Sequence, residues 1–208
     1  MLLRSIVALS VISAAIASPV VFHPAAPLSA ATPVAPTTFN IDPSHSQVMF
    51  KVRHLGLSTV SGRFSSFAGS FQLDPTTGLA SDATLSINVA SVNTDSERRD
   101  SHLKSADFFA ADSFPRITFT STAVQKASSN KYKVLGNLTM RGVTRPVTLD
   151  AEVAGTRQTP QGWLAAVNMS GTVKRKEFGL MWDRVTEGIS AVGDEITLQI
   201  EIEAKSAP

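Results

Sequence analysis

An all-β fold, a sandwich or an up-and-down barrel, is what this sequence predicts, and three observations predict it. Apolar residues recur with period two in eight separate stretches, short turn signals separate several of them, and only residues 94–109 carry helix-start chemistry. Period two sends successive side chains to opposite faces, so each stretch reads as a strand with one dry face and one wet face.

The series begins with Val48, Phe50 and Val52, alternating with Met49, Lys51 and Arg53. Phe67, Gly69, Phe71 and Leu73 share the next dry face, followed by Ala83, Leu85, Ile87 and Val89. Ile117 and Phe119 alternate with Thr118 and Thr120, and Tyr132, Val134, Gly136, Leu138 and Met140 follow. Val147, Leu149, Ala151 and Val153 oppose Thr148, Asp150 and Glu152. Trp163, Ala165, Val167 and Met169 continue the series, which Ile196, Leu198, Ile200 and Ile202 close. Asp74-Pro75-Thr76-Thr77-Gly78, the run from Arg141 to Pro146, and Thr159-Pro160-Gln161-Gly162 are short enough for hairpins, so antiparallel neighbours are expected. Thr94-x-x-Glu97 has the form of a capping box and predicts a short helix crossing one end of the fold. Phe108, Phe109 and Phe114 would hold that connection to the core.

The strands do not reach the N-terminus. Residues 1–17 hold one positive charge, Arg4, then an apolar run from Ile6 to Ile16 that ends in Ala15-Ile16-Ala17. A run of eleven residues is too short to cross a bilayer, which takes about 20, but it suits a cleaved secretory signal peptide. Residues 18–38 contain Pro19, Pro24, Pro27, Pro33 and Pro36 and read as a disordered spacer, with cleavage expected after Ala17 or near Ala31. The globular domain is expected over residues 39–208, and a periplasmic or secreted location follows.

Composition excludes several function classes. Of 208 residues 43% are apolar and only 17% charged, against about 25% charged in an ordinary globular chain. The net charge of +2 argues against a nucleic-acid partner. With no cysteine, thiol catalysis, disulfides and Cys-zinc sites fall away. His23, His45, His54 and His102 have no HxH or HExxH spacing, so no metal site is expected. The carboxylates with acid–base potential, Asp100 with Asp107 and Asp194 with Glu195, fall in expected connections rather than on inward faces, and no GxSxG elbow is present. No catalytic residue is assigned. Small residues on the dry faces (Gly69, Ala83, Gly136, Ala151 and Ala165) fit either a tapering packed barrel or a ligand cavity.

Several strings then occur together in order: Ile41-Asp42-Pro43-x-His45-Ser46, Val52-Arg53-His54-Leu55-Gly56, Gly62-Arg63-Phe64 and Arg99-Asp100-x-His102-Leu103-Lys104-x-x-Asp107-Phe108-Phe109. Phe114-Pro115-x-Ile117-x-Phe119, Leu138-Thr139-Met140-x-Gly142-Val143-Thr144-Arg145-Pro146-Val147, Arg175-x-x-Phe178-Gly179-Leu180-x-Trp182 and Val192-Gly193-Asp194-Glu195-Ile196 complete the set. In these strings, from about Phe39 to Ala204, the chain resembles the YceI family of secreted lipid-binding proteins. The resemblance implies an eight-stranded, antiparallel, lipocalin-like barrel holding a polyisoprenoid, an isoprenoid quinone or another long amphiphile. It implies no cofactor other than that bound lipid, allows a homodimer that no residue here argues, and leaves no membrane span after signal cleavage. An enzyme acting on the bound isoprenoid is the rival reading. On this basis Phe50, Val52, Phe67, Phe71, Leu85, Ile87, Phe119, Leu149, Trp163 and Trp182 are placed on the cavity lining. His54 shares the parity of Val52 and, with Arg53 and Arg175, is a candidate for head-group contact; for both arginines solvated strand-end charge is the competing reading.

Overall fold

The computed structural model describes residues 36–186 and 188–207. The expected signal peptide lies outside the described residues, as does the expected spacer up to residue 35, while residues 37 and 38 of that segment already belong to the first strand. In order the elements are β1 (Thr37–Ile41), β2 (Gln47–His54), β3 (Ser58–Phe64), β4 (Phe67–Leu73), β5 (Ala80–Asn88), β6 (Val92–Asn93) and α1 (Glu97–Lys104). Then come β7 (Arg116–Lys126), β8 (Lys131–Met140), β9 (Val143–Thr159), β10 (Gly162–Lys174), β11 (Val185–Thr186), β12 (Ile189–Ser190) and β13 (Val192–Ser206).

Eight strands close an antiparallel ring, β1-β4-β5-β7-β8-β9-β10-β13, with β13 returning to β1. The seam is β13. Its last residues pair with β1, from Ile41↔Ala204 to Phe39↔Ser206, and its earlier ones with β2, from Gln47↔Glu201 to His54↔Val192. One edge is therefore followed by two strands, interrupted at residues 42–46. The neighbouring pair β3 and β4 is interrupted in the same way at Ser65 and Ser66, with β3 along β2 and β4 along β1. At the β2–β3 end the wall is completed by the two-residue β6 and by the α1 connection, whose Leu103, Phe108 and Phe109 turn into the interior.

The interruption is built from the first string singled out in the sequence. The Asp42 carboxylate accepts the Ser44 backbone N–H at 3.0 Å, lies 3.0 Å from His45 Nδ1 and binds the Lys205 ammonium. Lys205, Ser44 and His45 together hold that carboxyl below its usual range. Ser46 donates to the Glu203 carbonyl at 3.1 Å and accepts the Glu203 N–H at 3.0 Å, so a side chain replaces the missing ladder partner.

Alternation placed most strands on the right face: Tyr132, Val134, Leu138 and Met140 are buried while Lys131 and Lys133 are exposed. The hairpin between β8 and β9 turns on two residues, Arg141 and Gly142, with φ of 51° and 73°, the signature of a type I′ turn. Three departures stand out. β1 and β3 are strands the alternation does not predict, and β2, which it does, lies beside the ring on β13. The helix begins later than the capping box implies: Ser96 takes the N-cap position, and the Asp100 carboxylate reaches back to the Thr94 N–H at 2.9 Å and hydroxyl at 2.5 Å. Asp194 and Glu195, expected in a connection, lie within β13. The two glycines on predicted dry faces serve packing: a Cβ on Gly136 would sit 2.4 Å from the Phe119 ring, and one on Gly69 would sit 2.2 Å from the Thr84 carbonyl oxygen.

Candidate functional site

The barrel is hollow. A cavity of about 200 Å³ runs among residues of every ring strand, from Leu73 and Tyr132 near one end to Phe64, Phe109 and Leu180 near the other. For scale, an apolar cavity of about 150 Å³ stays dry and accepts a benzene-sized guest. Eleven of the fourteen half-buried apolar side chains packed on the core also line this cavity; Val143, Trp163 and Trp182 are the exceptions. These eleven border the empty interior, as side chains of an unfilled core do. Ala83 and Ala151 are on the lining, so those two small residues leave room where the two glycines above admit neighbours. Among the lining residues none carries a carboxylate or an imidazole, and the Tyr132 hydroxyl is committed to the Gly78 carbonyl at 2.6 Å.

A second cavity, about 260 Å³, adjoins the first and shares Phe50, Val52, Leu103, Phe108 and Val192 with it. Its remaining walls are Val60, Ala191 and Trp182 together with Arg53, His54, Thr94, Arg99 and His102. This is a vestibule with mostly apolar walls that, unlike the chamber, also carries imidazoles and two exposed guanidinium groups. The His102 ring stands edge-on to Phe108 and Trp182, with centroids 5.0 Å and 4.9 Å away, and its Nε2 lies 3.0 Å from an Asp107 oxygen. Arg99 donates to the Thr94 hydroxyl and carbonyl, both at 2.7 Å, and Arg53 donates to the Gly56 carbonyl at 2.8 Å and the Thr59 hydroxyl at 3.2 Å. Asp100 and Asp107, weighed as an acid–base pair, are thus occupied separately, one by Thr94 and one by His102.

The expected site residues divide accordingly. Phe50, Val52, Phe71, Leu85, Ile87, Phe119 and Leu149 line the main cavity. Phe67 is buried in the core beside the Ser65–Ser66 break and does not reach the lining. Trp163 starts β10 at the far end, its N–H on the Ser206 hydroxyl at 2.8 Å, and packs on the core without facing the cavity. Trp182, Arg53 and His54 belong to the vestibule, with Phe50 and Val52 on the shared wall.

Arg175 is not a solvated charge: it is buried and borders the main cavity. It is 2% exposed and donates to four backbone carbonyls, those of Gly193 (3.0 Å), Leu180 (2.5 Å), Trp182 (2.7 Å) and Val192 (3.0 Å), with Asp183 at 3.8 Å. Burial pulls its basicity down, against the pull of Asp183 and Asp194. A 3₁₀ turn over Arg175–Phe178 rotates this one member of Lys174-Arg175-Lys176-Glu177 inward, where its planar fork binds the segment between β10 and β13 to itself. Leu180 and Val192, gripped by this fork, line the main cavity, and Trp182 lines the vestibule. Arg141 reinforces the same end, donating to the Gly179 carbonyl at 2.8 Å and the Ala106 carbonyl at 2.9 Å. Arg99 and His102 were missed as site residues, because nothing local in a helical segment says which cavity it overhangs.

A YceI-like domain profile matches residues 39–204. A UPF0312 protein of Yersinia enterocolitica is 37% identical over 164 residues, 78% of this chain and 82% of its own length. The crystal structure of a Campylobacter jejuni YceI protein superimposes with a TM-score of 0.66 at 33% identity, covering 75% of this chain and 90% of that one. A polyisoprenoid binding domain from Saccharophagus degradans shares the fold, with a TM-score of 0.60 at 16% identity, over 83% of this chain and 99% of its own.

Proposed function

This chain belongs to the YceI family, and on that premise we propose that it is a periplasmic or secreted protein that carries or sequesters a long-chain isoprenoid, such as an isoprenoid quinone or polyprenyl lipid, without chemical turnover. The observation that carries the proposal is the pairing of a chamber walled almost wholly by apolar side chains with an adjoining vestibule whose walls include Arg53, His54, Arg99 and His102. An amphiphile has the same division. Its tail would lie in the chamber, where each buried methylene contributes about 0.8 kcal/mol, before ordering costs are subtracted. Its head would lie in the vestibule within reach of two guanidinium groups. The solved Saccharophagus degradans domain, a polyisoprenoid binder, supports the reading only through its likeness of fold. A location outside the cytoplasm is supported by the apolar run from Ile6 to Ile16. Among the described residues no helix is long and apolar enough to cross a membrane.

Native mass spectrometry of the purified chain, followed by organic extraction, tests the proposal. A stoichiometric adduct that releases a prenyl lipid is the expected result. Barrels that are empty from independent preparations and stay empty when prenyl lipids are added would overturn it, and conversion of the added lipid would overturn its non-enzymatic part.

A further inference from the structure

Among the described residues six large apolar side chains stand exposed: Leu57, Leu79, Phe114, Met181, Val185 and Ile189. Five of them gather at the vestibule end. Leu57 is on the β2–β3 turn, which is tied to the segment before β13 by the Leu55 N–H on the Ala191 carbonyl at 3.2 Å. Ala191 in turn donates to the Arg184 carbonyl at 2.8 Å, closing the base of the β11–β12 hairpin that presents Val185 and Ile189. Met181 precedes the vestibule's Trp182, and Phe114 lies over Gly142 of the β8–β9 turn, which Arg141 ties to the same segment. Leu79 alone lies at the far end.

We propose that this rim is a docking surface for a phospholipid bilayer with anionic headgroups, on which the vestibule opens to exchange its ligand; the inference rests on the lipid-carrying function above. Exposed apolar patches on a protein surface mark contact sites, and this one adjoins the vestibule, since Arg53 and His54 at the end of β2, and Ala191, line it and lead directly into the turns that bear the patch. Arg53, Arg98, Arg99 and Arg184 are exposed around it; of the exposed carboxylates on the helical connection, Asp95 pairs with Arg63 and Asp107 with His102, whereas among the described residues neither Arg53 nor Arg99 makes an ion pair, so these two cations are available to an anionic headgroup. Arg53 bonds the Gly56 carbonyl and the Thr59 hydroxyl and so stiffens the turn that holds Leu57 outward. A ligand with a long prenyl tail is insoluble in water, and a mouth seated on a bilayer spares it that passage.

The absence of cysteine makes the test clean. Leu57→Cys, Ile189→Cys and, as the far-end control, Leu79→Cys are each labelled with nitrobenzoxadiazole in the full chain and mixed with phosphatidylcholine–phosphatidylglycerol vesicles. Emission at 57 and 189 is expected to shift to the blue and brighten severalfold, less so in high salt, while 79 stays unchanged. No shift at 57 and 189, or an equal shift at all three positions, overturns docking by this end; the first outcome leaves the patch to a protein partner, and the second reports another part of the chain entering the bilayer. An equal response on pure phosphatidylcholine overturns the role of charge. Extraction of the unlabelled chain without vesicles reads ligand carriage separately, so a loaded chain with a silent rim loses the docking inference alone. In the Leu57→Asp, Ile189→Asp double variant, vesicle partitioning should fall by roughly tenfold or more.

Discussion

At the end of the barrel that carries Thr37 and Ser206, the turn between β4 and β5 is closed by its own side chains. Asp74 accepts the Thr76 N–H at 2.8 Å, the Thr77 N–H at 3.1 Å and the Thr77 hydroxyl at 2.7 Å, while Tyr132 and Lys126 donate to the carbonyls of Gly78 and Thr77. At the opposite end the bonds reach across longer stretches of chain. Arg175 holds the segment from Leu180 to Gly193, Arg141 ties the β8–β9 turn to Gly179 and Ala106, and Arg99 bonds Thr94. One end is sealed by many local bonds. The other, the vestibule end, is braced from within by a buried cation.

Five changes test that contrast, from the largest effect to the smallest. Arg175→Met removes the brace, leaves four carbonyls short of a donor and strands Asp183; a loss of about 3–5 kcal/mol in urea or guanidinium unfolding is expected, with Arg175→Lys between the two. Leu198→Trp puts an indole into the chamber, where Leu198 lines the wall beside its cross-strand partner Phe50. It should weaken tail binding by about a hundredfold in a prenyl-lipid titration, the equivalent of three or four methylenes displaced, while the unfolding midpoint stays near that of the parent. Arg99→Ala should cost about tenfold in affinity for an amphiphile with an anionic head and nothing for the bare hydrocarbon tail, a split readable by competition. Tyr132→Phe at the sealed end should cost about 1 kcal/mol of stability and leave ligand affinity unchanged.

The smallest effect is one of pH. Asp183 is held below its ordinary carboxylate value of 3.8 by the Ser190 hydroxyl, then by the Val192 backbone and the Arg175 and Lys176 charges. A carboxyl lowered on folding stabilises the native state fully above 3.8 and less as pH falls through the folded value. Amide exchange in the β11–β12 hairpin should therefore quicken as pH drops below 3.8, relative to the intrinsic rate, and Ser190→Ala should reduce that dependence. Exchange that stays flat would break the link between Asp183 and the vestibule end.

What the sequence discloses follows from where water lies. Ile196 to Ile202 and Tyr132 to Met140 separate a dry face from a wet one, and there alternation finds the strand and its orientation. β3 escapes it because Ser58, Thr59, Ser61 and Arg63 are exposed, and the inward position between Val60 and Phe64 is Gly62. A glycine is required there, since a Cβ would lie 2.3 Å from the Phe50 ring, and it erases the periodic signal. β1 is masked by the adjoining prolines. The chamber was legible as seven of its lining residues, but the vestibule was not, because it forms where a helix, a turn and a strand end meet. Arg175 is the sharpest misreading: four charged residues in a row suggest solvent, and only the 3₁₀ turn decides which of them goes inside.

The seam on β13 has a consequence in time. The strand that shuts the ring is the last to be made, and its final residues, Ala204 to Ser206, pair with Ile41 to Phe39 from the beginning of the domain. Until they exist, β1 and β2 have an open edge, and neither the chamber nor the bonds between Ser46 and Glu203 can form. Contacts between such distant parts of a chain form slowly. If the chain is exported as proposed, that delay is useful: the chain would stay threadable during synthesis and passage, and its hollow core would close only afterwards.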